Sequence, residues 1–278
     1  MLGNNLFQFF SSKSEFETFA TVRNKSTLGK VYSSKKVLEI SDIKNLKELN
    51  FILKRISPTV VINCIGAIKQ KNKLNNTREI IYINSLLPHL LEEACKKVGA
   101  RMIHFSTDCV FSGKLGKYTE ENEPDAQDLY GLSKRLGEVL NENSLTLRTS
   151  IIGHELKSNL SLLDWFLSQE NKVKGYKKAI FSGLTTIEIG KVLEKIIFPN
   201  LHLSGLFHLS VDPINKYDLL NLVAIEYKKN IKILEDSEII IDRSLDSSKF
   251  KALTGYNPPS WQELIKELND YYNEKFKK

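Results

Sequence analysis

Residues 59–64 read TVVINC and run straight into Ile65 and Gly66. A continuous apolar, β-branched run without alternation fits a parallel strand buried on both faces. Its flanks decide the fold class. Upstream, residues 46–56 repeat apolar positions at helical spacing and stop before Pro58. Downstream, residues 77–98 read as a long helix with Gly99 just past its end and Pro88 inside it, where a proline bends or splits the helix. Residues 101–105 form the next strand, 128–143 a helix with Asp128 as its N-cap, and 145–151 another strand. A helix at 2–10 and short strands within 15–23 and 37–40 precede them. Strand and helix alternating in this way call for a parallel sheet with crossover helices.

Beyond Gly153 the pattern is less regular. Helices are expected at 160–168, 186–197, 216–229 and 261–272, with strands at 206–210 and 231–234. Residues 1–152 therefore read as one domain, to which the chain returns near 182–200, and 153–278 mainly as a second. Ser260, after Asn257-Pro-Pro, is placed to cap the last helix.

Hydrophobic residues at 41% are enough for a packed core in a chain of 278 residues. No apolar run is long enough for a membrane-spanning helix, and the start lacks the basic n-region of a signal peptide. Cys64, Cys95 and Cys109 share no metal-type spacing and the five histidines form no metal pattern, so no metal site is assigned. An odd, low cysteine count fits reduced thiols and a cytoplasmic location. The net charge of +7 comes from lysines scattered among acidic residues, with one local cluster at 275–278. That distribution suits a small anionic ligand such as a diphosphate better than a nucleic acid.

Two short motifs carry chemistry. Residues 130–134 read YGLSK on an expected helix, so Tyr130 and Lys134 share one face. An ammonium beside a phenol favours the phenolate, which makes the two a tuned acid/base pair; the alternative is an exposed helical pair of no consequence. Ser106-Thr107-Asp108 directly follows a strand, at the carboxyl end where open α/β sheets bind ligands; the alternative is a capped turn.

The whole stretch 104–138, HFSTDCVFSGKLGKYTEENEPDAQDLYGLSKRLGE, followed by LRTSIIG at 147–153, resembles the core of extended short-chain dehydrogenases/reductases. The nearest likeness is to the dTDP-4-dehydrorhamnose reductase family of nucleotide-sugar enzymes. The resemblance implies a Rossmann-type doubly wound parallel sheet with a smaller α/β C-terminal substrate domain. It also implies NADPH-dependent reduction of a nucleotide-linked 4-keto-6-deoxy sugar for polysaccharide synthesis. Tyr130 would protonate the keto oxygen, Lys134 would lower the pKa of Tyr130 and hold the nicotinamide ribose, and Thr107 would hydrogen-bond the same oxygen. Ser106, Asp108, Ser150 and Arg243 would touch substrate, Arg243 gripping the diphosphate bidentately unless it merely sits in a surface turn. Leu2, Gly3, Cys64, Ile65, Gly66 and Ser106 would lie along the cofactor. Asn84 would join them, or else be a satisfied core amide. Ile40 would lie near the adenine, beside Glu39 where relatives often have Asp. Arg23 at a strand end suits the 2′-phosphate of NADPH, with NADH and an exposed strand-end arginine as the alternatives.

Relatives begin with an apolar strand and two glycines that have no counterpart before Gly3. That strand would be central. Losing about four buried apolar side chains would forfeit roughly 6–12 kcal/mol, against a whole-domain stability of ~5–15 kcal/mol. The expectation is a chain that starts at an internal methionine and folds poorly or binds cofactor weakly. Rival readings are an epimerase or dehydratase on the same scaffold, or a non-catalytic regulatory subunit like that of methionine adenosyltransferase. The expected partner is a nucleotide sugar, with no nucleic acid or membrane, and a homodimer is allowed.

Overall fold

The computed structural model describes residues 1–25, 36–68 and 76–276; Lys277 and Lys278 of the C-terminal basic cluster lie outside them. The first half runs α1 (Leu2–Ser11), β1 (Ala20–Val22), β2 (Val37–Glu39), α2 (Leu46–Ile56) and β3 (Val60–Asn63). Then come α3 (Thr77–Ile81) and α4 (Leu87–Lys97), joined by a π turn at Tyr82–Leu86, followed by β4 (Arg101–Thr107), α5 (Leu129–Leu136) and β5 (Ser144–Thr149). The second half continues with β6 (Ile151–Ile152), α6 (Leu162–Ser168), β7 (Lys172–Tyr176), β8 (Ala179–Phe181), β9 (Leu184–Thr185) and α7 (Thr186–Val192). It ends with β10 (Gly205–His208), β11 (Ile214–Asn215), α8 (Lys216–Glu226), β12 (Lys232–Asp236), β13 (Ile241–Asp242), α9 (Ser248–Thr254) and α10 (Trp261–Phe276). Among the described residues no helix is long and apolar enough to cross a membrane.

The central sheet is parallel, in the order β10-β5-β4-β3. β1 and β2 pair with each other as a separate parallel ribbon. The strand buried on both faces is β4, not β3. Every residue of β4 is buried, whereas in β3 only Asn63 is. The reason is position: β4 has a partner on each side, and β3 lies at the edge of the described sheet. Alternation along β4 sends Ile103 and Phe105 into one apolar cluster, with α1, α7 and the C-terminal helices. Met102 goes to a second cluster, with α2, α4 and Ile40.

Local chemistry explains most boundaries. Asn45 caps α2 by accepting from the Glu48 N–H, and Ser57 ends it in the left-handed region just before Pro58. The interruption expected at Pro88 takes the form of the π turn. Pro88 then falls in the first turn of α4, where its missing N–H costs least. Asp128 caps α5 by accepting from the N–H groups of Tyr130 and Gly131.

α5 is half the expected length, ending at Leu136 rather than reaching residue 143. Gly137 lies so close to the carbonyl of Asn84 and the ring of Pro88 that a Cβ would overlap them, and the chain turns there to bring Glu138 inward. The strands β7, β8, β9, β11 and β13 were not anticipated; four of them have three residues or fewer and carry too little pattern to read. Gly137→Ala is expected to cost about 1–3 kcal/mol by overpacking. An unchanged urea midpoint would contradict the close docking of α5 on the π turn.

Candidate active site

The carboxyl end of β4 delivers Ser106 and Thr107, and Thr107 caps the short 3₁₀ turn Asp108–Val110. Its hydroxyl donates to Asp108 Oδ1 at 3.1 Å and accepts from the Cys109 N–H at 3.1 Å. Tyr130, in the first turn of α5, shares a side-chain hydrogen bond with Thr107. The two hydroxyls assigned to one substrate oxygen therefore do meet. Burial pushes the Tyr130 phenol well above its usual range, the Cys109 thiol adds to this, and the Thr107 hydrogen bond opposes it. Tyr130 thus keeps its proton at neutral pH, which is the form a proton donor needs.

Lys134 lies one turn further on and is buried. Its ammonium nitrogen donates to the Phe105 carbonyl at 2.7 Å and stands 3.5 Å from His104 Nε2. Burial pulls its pKa down to about 8, with Glu138 pulling the other way. The expectation that Lys134 lowers the pKa of Tyr130 is corrected here. Its nitrogen is turned toward the backbone of β4, and burial governs the phenol instead.

Ser106, expected to touch substrate and cofactor, is engaged within the protein. Its buried hydroxyl donates to Glu138 Oε1 at 2.6 Å. Glu138 in turn accepts two hydrogen bonds of 2.8 Å from Arg148 on β5. The guanidinium stands 3.3 Å from His208 Nε2, and His208 Nδ1 is 2.9 Å from the Tyr118 carbonyl. A carbonyl can only accept, so Nδ1 carries the ring proton and Nε2 accepts from Arg148. Burial and Arg148 hold His208 down at about 4, so it stays neutral. Glu138, Arg148, His208 and His104 escaped the motif reading, although Glu138 falls at i+4 from Lys134.

On the cofactor side, Asn84 sits in the π turn, fully buried. It accepts from the Ala67 N–H at 2.8 Å and donates to the Ala67 carbonyl and to Ser133 Oγ. It is a satisfied amide that ties the loop after β3 to α5, the second of its two readings. That loop exposes Ile65 and Gly66. Burial pushes the Cys64 thiol up to about 12. Gly3 packs on the Cys64 side chain. Arg23 is exposed at the end of β1. The side chains of Leu2 and Ile40 are buried in the apolar clusters, so a contact from either to a cofactor would run through its backbone.

Arg243 reaches the site because its loop is clamped to the one following β4. Tyr118 pairs with Leu245, the Asp242 N–H donates to the Gly113 carbonyl at 2.8 Å, and Gly113 has φ +87° with Ile241 pressed against it. Arg243 Nε donates to the Phe111 carbonyl at 2.8 Å, with Nη1 3.6 Å from Cys109 Sγ. Asp108 is buried beside Thr107. Lys216, at the start of α8, feels the charges of Asp108, Cys109 and Arg243 and is a second cation there that the motifs did not reveal. Ser150 is half-buried just past β5, its carbonyl accepting from the Leu184 N–H.

The family described as RmlD substrate binding domain matches residues 1–273. A dTDP-4-dehydrorhamnose reductase of Aggregatibacter actinomycetemcomitans is 26% identical over 83% of this chain and 87% of its own. The crystal structure of dTDP-4-dehydrorhamnose reductase from Bacillus anthracis, in complex with NADP, superposes with a TM-score of 0.74 at 20% identity, covering 91% of this chain and 98% of that one. A dTDP-glucose 4,6-dehydratase from the same organism, in complex with NAD, gives 0.75 at 14% identity over 100% of this chain and 94% of that one. The fold, a Rossmann-type α/β architecture, is thus shared by enzymes of different chemistry.

The buried Glu138–Arg148 pair makes a stability prediction. Glu138→Ala leaves a guanidinium unpaired and is expected to cost about 3–5 kcal/mol. The double variant Glu138→Ala/Arg148→Met is expected to recover part of that loss in urea unfolding. A single variant within 1 kcal/mol of the native chain would contradict the pairing.

Proposed function

The chain belongs to the RmlD substrate binding domain family, and from that membership we propose that it reduces the keto group of a nucleotide-linked 4-keto-6-deoxy sugar with NADPH. The observation that carries this reading is the hydrogen-bonded pair of Thr107 and Tyr130 at the carboxyl end of β4, with the phenol held protonated.

The residues around the site fit the cofactor. The Gly66 backbone is open, since among the described residues a Cβ there would meet only the Asn84 oxygen, at 3.8 Å. The exposed backbone at 65–66 and the first turn of α1 at Gly3 would border the dinucleotide, and the exposed Arg23 suits a 2′-phosphate. That arginine is what favours NADPH over NADH. When bound, the nicotinamide supplies the hydride to the sugar carbonyl carbon.

The chain's own residues supply the rest. Tyr130 gives its proton to the keto oxygen, and Thr107 hydrogen-bonds that oxygen as charge builds on it. Lys134 holds the ribose and returns Tyr130 to its protonated form. Arg243, with Lys216 beside it, receives the diphosphate, the forked guanidinium fitting phosphate oxygens. The same reading assigns residues 1–152, with 182–200, to cofactor binding and 153–278 mainly to substrate. It also places the activity in surface-polysaccharide synthesis in the cytoplasm.

The test is NADPH consumption by the purified chain with a dTDP-linked 4-keto-6-deoxyhexose, matched one-to-one by the 4-hydroxy product. Tyr130→Phe is expected to lower kcat by about 10²–10⁴, with NADPH affinity little changed. Full activity in that variant would remove Tyr130 from the acid role, and product formed without NADPH consumption would point to an epimerase.

A further inference from the structure

Beneath Lys134 lies a chain of hydrogen bonds whose direction is fixed. The Ile65 N–H donates to Asn63 Oδ1 at 3.1 Å. That contact fixes the amide orientation, because a flipped amide would set two donors face to face. Asn63 Nδ2 therefore points at His104 Nδ1, 3.1 Å away. An amide nitrogen only donates, so Nδ1 accepts and carries no proton. The neutral ring must then carry its hydrogen on Nε2, the atom 3.5 Å from the Lys134 nitrogen.

Against an ammonium, this contact is donor against donor. Against an amine, the lysine lone pair can receive the ring N–H. The ring cannot relieve the conflict by rotating, since it is 1% exposed in the middle of β4. We propose that His104, with Asn63 fixing its tautomer, is a positioning residue that disfavours the ammonium form of Lys134.

Other groups around the pair are accounted for. Glu138, in the turn after α5, favours the ammonium but already accepts from Ser106 and Arg148. His89 on α4 acts on His104 in the same sense as Lys134, and with burial they hold the ring neutral. The Phe105 carbonyl accepts one Lys134 hydrogen in either form. Burial also disfavours the ammonium form of Lys134.

The consequence for cofactor binding rests on the reductase reading. A dinucleotide whose phosphates and ribose oxygens favour the ammonium takes up one proton from solvent when it binds above pH 8. NADPH affinity should then fall about tenfold per pH unit in that range, and should hold to higher pH once His104 is replaced.

The direct test needs no substrate. In the cofactor-free chain with lysine labelled at Cε, an NMR titration follows Lys134, identified by the signal missing from Lys134→Arg. The native midpoint is expected at about 8. His104→Gln, which offers an acceptor to the lysine, should move it up by about one pH unit or more, a tenfold change in the protonation equilibrium. Asn63→Asp, which forces the ring proton onto Nδ1, should move it the same way and serves if His104→Gln fails to fold. A native midpoint near the ordinary lysine value of about 10.4, or midpoints unmoved in the variants, would overturn the proposal. A chain that titrates as expected yet reduces nothing would defeat the reductase reading alone.

Discussion

Glu138 accepts hydrogen bonds from Ser106 and from two nitrogens of Arg148 while its side chain is 7% exposed. That single carboxylate ties together the ends of β4 and β5 and the turn after α5. Because α5 is docked at that turn, the position of Tyr130 and Lys134 relative to Thr107 depends on it. The network continues through His208 to the Tyr118 carbonyl, and Tyr118 is paired with the segment that carries Arg243. The two sides of the site are thus joined through buried polar contacts rather than through apolar packing alone.

Burying a carboxylate and a guanidinium is costly unless each is paired and its remaining hydrogen-bonding groups are satisfied. Here the pairing is bidentate and the hydroxyl of Ser106 occupies a further lone pair. Two histidines, on β4 and β10 with β5 between them, are held neutral with opposite tautomers. His104 receives a hydrogen at Nδ1 from Asn63, while His208 donates its own from Nδ1 to a carbonyl. Each tautomer is set by a partner that can play only one role. Around Tyr130 the same burial keeps the phenol protonated and Lys134 easily deprotonated.

Much of this was legible in the chain. The YGLSK helix and the STD strand end could be read because their chemistry follows from local spacing, and the structure brings Thr107 and Tyr130 into contact. α2 matched to the residue, since Asn45 and Pro58 mark its ends. The side-chain partners of Ser106 and Leu2 could not be read, because a residue's type does not reveal which way its side chain points once neighbours compete for it. The burial of TVVINC was overestimated because pattern reports what a strand can tolerate, whereas burial depends on how many strands flank it. Arg148, His208 and Lys216 were invisible for a third reason: their partners lie 10, 90 and more than 100 residues away.

The central claim is that hydride passes to the sugar carbonyl at the Thr107–Tyr130 end of β4. It is tested most directly with NADPH carrying deuterium at both nicotinamide C4 positions and a dTDP-linked 4-keto-6-deoxyhexose, with the product analysed by mass spectrometry and NMR. One deuterium on the sugar C4 is expected for each NADPH oxidised. Product that carries no label, or label at any other carbon, would contradict it.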